Sequence, residues 1–146
     1  MRTCRSLWTV VIVVTALAMM AAAQDQPKKE IRHVPIKPTS AASGQDMYKN
    51  YCAVCHGVDG KGKGPASDAL KVPPTDLTAL ALKNGGAYPA LKVSAVLSGE
   101  EVLPAHGSKD MPVWGDLFWH LSGGHASEVH QRVSNLNKYV ESLQKK

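Results

Sequence analysis

Two cysteines and a histidine stand within five residues in the stretch C-A-V-C-H, where Cys52 and Cys55 are separated by two residues and His56 follows directly. Thiols at this spacing bind metal ions, form disulfides or attach covalently to haem, and imidazole is a common ligand of iron and zinc. The chemistry of this cluster therefore depends on its compartment and on the elements that carry it.

Four kinds of site use such a cluster. A structural zinc site takes four protein ligands, and besides Cys4 the chain offers only scattered histidines as partners. A thioredoxin-like dithiol needs a βαβ pattern, which the sequence lacks. A disulfide across two residues is strained and leaves the histidine without a role. Covalent haem attachment uses all three residues, since thioether bonds from Cys52 and Cys55 place His56 against the iron. We therefore predict one covalently bound haem c.

The first 23 residues predict export from the cytoplasm. Arg2 and Arg5 precede an apolar run over 7–20, and Ala21 and Ala23 frame an A-x-A cleavage site, which is the plan of a secretory signal peptide. We expect 1–23 to be removed and the protein to be periplasmic. The alternative is a retained membrane anchor, because the stretch over 7–23 reaches the lower limit of about 17 residues that can span a bilayer.

The charge pattern argues against nucleic acid as a partner. The formal net charge of +5 includes Arg2 and Arg5, which would leave with the signal peptide, and the remaining basic residues form no stripe.

Residues 24–43 contain three prolines and show almost no periodicity. They are predicted to be a flexible linker, and the alternative is an arm packed across the domain.

Residues 44–146 are predicted to form one all-α domain. Apolar spacing favours a helix that ends at the cysteines and a final helix over 127–143. Between them, a short helix should be capped by Asp76 and another should begin near Pro89. The glycine-rich and proline-rich stretches over 57–75 and 101–125 are expected to be long loops.

Three motifs make the chain resemble the class I c-type cytochromes, which carry a single haem. They are GxxxYxxxCxxCHGxxGxGxGP over 44–65, DMPVWG over 110–115 and NLNKYVESL over 135–143. The resemblance implies a small cytochrome c fold, with about four helices wrapped around one haem c. It also implies that Gly44 and Tyr48 meet Leu136 and Tyr139 where the first and last helices cross.

The second iron ligand is predicted to be Met111. Met47 lies on the helix that carries the cysteines and should be held away from the opposite haem face. Met111 lies in the second long loop, followed by a proline and by Trp114, which is expected to pack behind it. The M-P-x-W-G pattern of the family implies the same ligand, and His106 is the alternative. The resemblance further implies that the backbone carbonyl of Pro65 accepts a hydrogen bond from the iron-bound histidine.

An iron with both axial positions filled has no place for a substrate, so these ligands predict a single-electron carrier and not an enzyme. Its partners would be redox proteins, an electron donor and an electron acceptor of a respiratory or dehydrogenase chain. Lysines near the haem edge would steer an acidic partner; they are Lys49, Lys61, Lys63 and Lys109. Two alternatives stay open. One is a haem enzyme or a sensor of gases or peroxide with a labile sixth ligand, and the other is a fixed haem subunit of a larger oxidoreductase.

Overall fold

The computed structural model describes residues 35–100 and 114–145. The predicted signal peptide 1–23, residues 24–34 of the predicted linker and Met111 lie outside these ranges. Within them the regular structure is helical and there is no strand, so the predicted all-α class is confirmed. No helix in the described part of the chain is long and apolar enough to cross a bilayer.

The first helical stretch delivers the cysteines and the histidine, as the sequence predicted. Helix α1 spans Gly44–Met47, a π-helical turn spans Tyr48–Cys52, and helix α2 spans Ala53–His56. The side chain of Ser43 accepts a hydrogen bond from a backbone N–H of the first turn, which is the usual way to satisfy a helix N-terminus.

Four short elements follow in the middle of the chain. Two of them are 3₁₀ turns, at Ser67–Ala69 and Leu77–Ala79; helix α3 spans Leu80–Lys83, and helix α4 spans Ala90–Ser98. The carboxylate of Asp76 accepts a hydrogen bond from the N–H of Thr78, so the predicted cap is present. Pro89 stands directly before α4, also as predicted.

The second long stretch that the sequence predicted as a loop contains a helix. Helix α5 spans Trp114–Leu121, and helix α6 spans Ala126–Ser142, within one residue of its predicted bounds. The reason for α5 is a helical spacing of large apolar residues, because Trp114 and Phe118 stand four residues apart and are both buried.

The crossing of the first and last helices is the centre of the core. A Cβ atom at Gly44 would overlap the backbone carbonyl group of Asn135, so the two backbones touch where no side chain separates them. Beside this contact the rings of Tyr48 and Tyr139 lie 5.2 Å apart, and Leu136 is fully buried. This arrangement is the one that the resemblance implied.

The last part of the predicted linker is an arm packed on the domain. The hydroxyl of Tyr51 donates to the carbonyl of Lys37 at 2.8 Å and lies 2.8 Å from the hydroxyl of Thr39. The side chain of Asn135 donates to the carbonyl of Ala41 at 2.9 Å. The prediction of a flexible linker through residue 43 is therefore wrong for 37–41, because side chains of the domain bind the backbone of these residues.

A buried arginine completes the attachment of this arm. Arg132 on α6 is 3% exposed and donates to the carbonyl of Thr39 at 2.9 Å, to the hydroxyl of Ser122 at 3.0 Å and to the carboxylate of Glu128 at 2.7 Å. A buried charge is tolerated when it has an opposite charge and hydrogen-bond acceptors around it. Arg132 thus joins the arm, the turn after α5 and the last helix.

Candidate functional site

The candidate site is built on the end of the first helical stretch. Cys52 is buried, Cys55 is partly buried and His56 is 7% exposed. The two thiols are free. Burial, followed by the proximity of Cys55, raises the pKa of the Cys52 thiol to about 12, and burial raises the pKa of Cys55 as well.

The glycine-rich loop folds back onto the helix end that carries the cysteines. The N–H of Gly64 donates to the carbonyl of Cys55 and the N–H of Ala66 donates to the carbonyl of Val54, both at 2.9 Å. These carbonyls belong to the last turn of the helix, where carbonyl groups have no hydrogen-bond partners within the helix. A Cβ atom at Gly64 would overlap the backbone of Val54, so this approach requires glycine.

The orientation of the histidine ring is set by a carbonyl group. Nδ1 of His56 lies 3.0 Å from the backbone oxygen of Thr75. Because a carbonyl only accepts hydrogen bonds, this contact requires the proton to be on Nδ1. Nε2 is then the ring nitrogen that can bind a metal. In metal sites, a hydrogen bond from the other ring nitrogen commonly fixes the tautomer of the ligating histidine in this way.

The acceptor beside Nδ1 is not the predicted one, the backbone carbonyl of Pro65. Pro65 stands between Gly64 and Ala66, the two residues whose amides bind the helix end. It therefore lies in the part of the loop that packs against the helix, and the carbonyl beside Nδ1 comes from Thr75, ten residues further along. Sequence reasoning missed Thr75 because the path of an irregular loop decides which carbonyl reaches the ring.

Trp114 lies in an aromatic cluster next to the cysteine-bearing helix. Its ring is stacked on Tyr51 with centroids 5.7 Å apart and is tilted against Phe118 at 5.9 Å. Trp114 is 6% exposed, and its indole Nε1 is the one buried side-chain nitrogen or oxygen in the described ranges that has no hydrogen-bond partner. Such a group costs about 1–3 kcal/mol unless a partner is supplied.

The two methionines considered as ligands have different positions. Met47 is completely buried in the core, with Nη1 of Arg132 3.9 Å from its sulfur. Met111 lies outside the described residues, as do His106 and Lys109. Ligation by Met111 therefore stays a prediction.

Two further observations describe the surroundings of the site. Within residues 35–100 and 114–145, no group of three or more His, Cys, Asp or Glu residues is arranged to hold a metal ion. Several apolar side chains of the same ranges are unusually exposed, with Leu91 at 89%, Val58 at 77% and Leu82 at 61%. Isolated apolar residues on a surface are ordinary and by themselves indicate no binding site.

The chemistry of the site is compatible with a bound haem group. The donor set is the one that covalent haem attachment requires, and it stands at one helix end with the histidine tautomer already set by Thr75. The buried N–H of Trp114, whose ring is stacked on Tyr51 beside Cys52, is a donor that a polar part of a bound group would satisfy.

Residues 39–120, more than half of the chain, match the family described as cytochrome c oxidase, cbb3-type, subunit III. No curated protein and no solved structure matches the chain significantly. The chain belongs to this family and contains a c-type cytochrome domain with an all-α fold. Domains of this kind bind haem c, transfer electrons and interact with redox partners, and they are typically exported or membrane-associated.

Proposed function

We propose that this member of the cbb3-type subunit III family is a single-electron carrier that holds one haem c through Cys52 and Cys55. His56 and Met111 are proposed as the two axial ligands of the iron. The observation that carries the proposal is the end of the first helical stretch, where both thiols and an imidazole with its Nδ1 proton on a carbonyl stand together.

Each residue of the site has a separate task in this proposal. Cys52 and Cys55 anchor the cofactor so that it cannot dissociate, and His56 binds the metal through Nε2 while Thr75 holds the ring. When bound, the haem supplies a one-electron couple between ferrous and ferric iron. Trp114 shields the site from water with its ring, because it is buried between Tyr51 and Phe118. Exclusion of water disfavours the extra charge of the ferric state and raises the reduction potential.

The same family description supports a second candidate, in which this chain is a fixed subunit of a larger oxidoreductase. The family is described as a subunit of an oxidase. A subunit and a diffusing carrier use the same site, so they differ in what the protein is bound to and not in its haem chemistry. Affinity purification from the native membrane fraction at native expression level separates them. A subunit is recovered with stoichiometric partner chains, and a carrier is recovered alone.

The proposed export and periplasmic location rest on residues 1–23. Cleavage after Ala23 would release the domain, and retention of this segment would tether it to the membrane. Sequencing of the mature N-terminus decides between the two. A new N-terminus at Gln24 supports a released protein, and an N-terminus at Met1 in the membrane fraction supports a tethered one.

The proposed closed coordination is tested by carbon monoxide binding to the ferrous protein. The wild-type protein is expected to bind it slowly, and Met111→Ala to bind it readily with a lower reduction potential. Met47→Ala is the matched control, because Met47 is a buried thioether in the core and its loss should destabilise the fold without opening the iron. If the wild-type protein binds carbon monoxide as fast as Met111→Ala, the sixth position is open. A haem enzyme or a sensor of gases or peroxide then replaces the carrier.

A further inference from the structure

The carbonyl that orients His56 belongs to a segment that is hydrogen-bonded to the residues following the last helix. Thr75 is followed directly by Asp76 and by the 3₁₀ turn Leu77–Ala79, which leads into α3. On one side, the N–H of Leu77 donates to the carbonyl of Gly60 at 2.7 Å, in the loop that follows the histidine. Its other prominent attachments come from the two residues that follow Leu143, the C-terminal cap of α6.

Gln144 is the centre of this attachment. Its amide Nε2 donates to the carbonyl of Leu77 at 2.7 Å, and its Oε1 accepts from the N–H of Ala81 at 2.9 Å. The same Nε2 also donates to the carbonyl of Val140 at 2.9 Å, in the last turn of α6. One side chain thus ties both ends of a five-residue stretch to the last helix. Leu77 is two residues from the carbonyl that faces His56.

Lys145 adds two bonds beside those of Gln144. Its backbone N–H donates to the carbonyl of Thr78 at 3.0 Å, and its ammonium group lies 3.2 Å from the carboxylate of Asp76. The ion pair is half exposed and contributes little by itself. Together the two residues hold the backbone from Asp76 to Ala81 against α6.

We propose that Gln144 is a positioning residue for His56, acting through Leu77 on the Thr75 carbonyl. This inference rests on the proposed role of His56 as an iron ligand. A carbonyl that accepts the Nδ1 proton makes the imidazole a stronger donor to the metal, which stabilises ferric iron. A displaced carbonyl makes the ligand weaker. Loss of the Gln144 bonds therefore raises the reduction potential of the bound haem.

The test uses the full-length holoprotein with Gln144→Met, which keeps the length of the side chain and removes its hydrogen bonds. The ratio of ferrous to ferric protein at a fixed applied potential is expected to rise at least about threefold, which is roughly 28 mV at 59 mV per tenfold change. The Nδ1 proton of His56, observed by NMR, should exchange with solvent faster than in the wild type. Gln144→Glu, which keeps an acceptor for Ala81 but no donor for Leu77, should shift both quantities in the same direction.

Asn137→Leu is the matched control. Asn137 is also an amide on α6, and it bonds to the carbonyl of Ala90 at 2.9 Å and to the hydroxyl of Ser94 at 2.7 Å, on a different helix. Its removal should lower stability without moving the potential or the exchange rate. If Gln144→Met leaves both unchanged, or if Asn137→Leu shifts them equally, the positioning role is wrong.

A comparison of the haem spectra of His56→Ala and the wild type distinguishes failure of this inference from failure of the proposed function. If His56→Ala has the same haem spectrum as the wild type, His56 is not the ligand, and the positioning role fails with it. If His56→Ala loses the low-spin spectrum of the wild type but Gln144→Met has the wild-type reduction potential, the positioning role alone is refuted.

Discussion

Replacement of Gly44 by alanine tests the helix crossing on which the domain depends. An added Cβ would lie 2.7 Å from the carbonyl carbon of Asn135 and 3.0 Å from the Cβ of Tyr139, and closer still to the Asn135 oxygen. These are backbone or backbone-proximal atoms that cannot rotate away, so the helices must separate. Overpacking of this kind costs about 1–3 kcal/mol. Separation would also weaken the contact between Tyr48 and Tyr139.

We therefore expect Gly44→Ala to lower the free energy of unfolding by about 3 kcal/mol, the upper end of that range, since the obstructing atoms are backbone. For a domain of this size, each kcal/mol lowers Tm by about 4–8 °C, so the decrease should be roughly 12–24 °C. Urea unfolding of the haem-loaded protein, followed by far-UV circular dichroism, measures the free energy directly.

The matched control is Gly85→Ala. No atom lies within 4 Å of a Cβ at Gly85, and the substitution meets only the cost of a φ angle of 70°, about 1–2 kcal/mol. If Gly44→Ala destabilises the protein no more than Gly85→Ala does, the first and last helices do not approach as closely as described. The account of the core would then be wrong.

Arg132→Met should lower the free energy of unfolding by about 1–3 kcal/mol, because it leaves the partly buried carbonyl of Thr39 without its donor, whereas the carboxylate of Glu128 is 38% exposed and can bind water instead. Limited proteolysis should also cut the arm at 35–41 faster, and an unchanged cleavage rate would contradict the role of Arg132. Asp76→Asn should change the pH dependence of stability. The hydrogen bond from the Thr78 hydroxyl is the main cause that lowers the pKa of Asp76, so the wild-type advantage is present above the ordinary pKa of aspartate and disappears as the pH falls through the lowered one. Melting curves of both proteins across acid pH measure this, and a difference in Tm that persists in strong acid would refute it.

The helices that carry regular spacing were predictable from the sequence. Apolar residues step by three or four positions through α6, and the Asp76 cap and Pro89 mark helix starts by local chemistry that needs no tertiary context. The cluster from Cys52 to His56 was predictable for the same reason, since its chemistry depends on spacing within one helical turn.

Other features depend on contacts between distant parts of the chain. The acceptor for His56 is Thr75, whose position follows from the fold of an irregular loop and from bonds made by Gln144, almost seventy residues away. The packed arm depends on Arg132, a residue type that is rarely buried and that sequence reasoning assigns to the surface. Helix α5 had a readable signal in the spacing of Trp114 and Phe118, but the surrounding proline and glycines favoured a loop.

The most direct test of the central claim is the intact mass of the purified, denatured protein, together with those of Cys52→Ser, Cys55→Ser and the double variant. We expect the mass of the polypeptide plus one haem for the wild type, a haem that acidified acetone does not extract, and no covalent haem in the double variant. A wild-type mass equal to that of the bare polypeptide, in a protein matured with a functional haem-attachment system, would contradict the covalent site at Cys52 and Cys55.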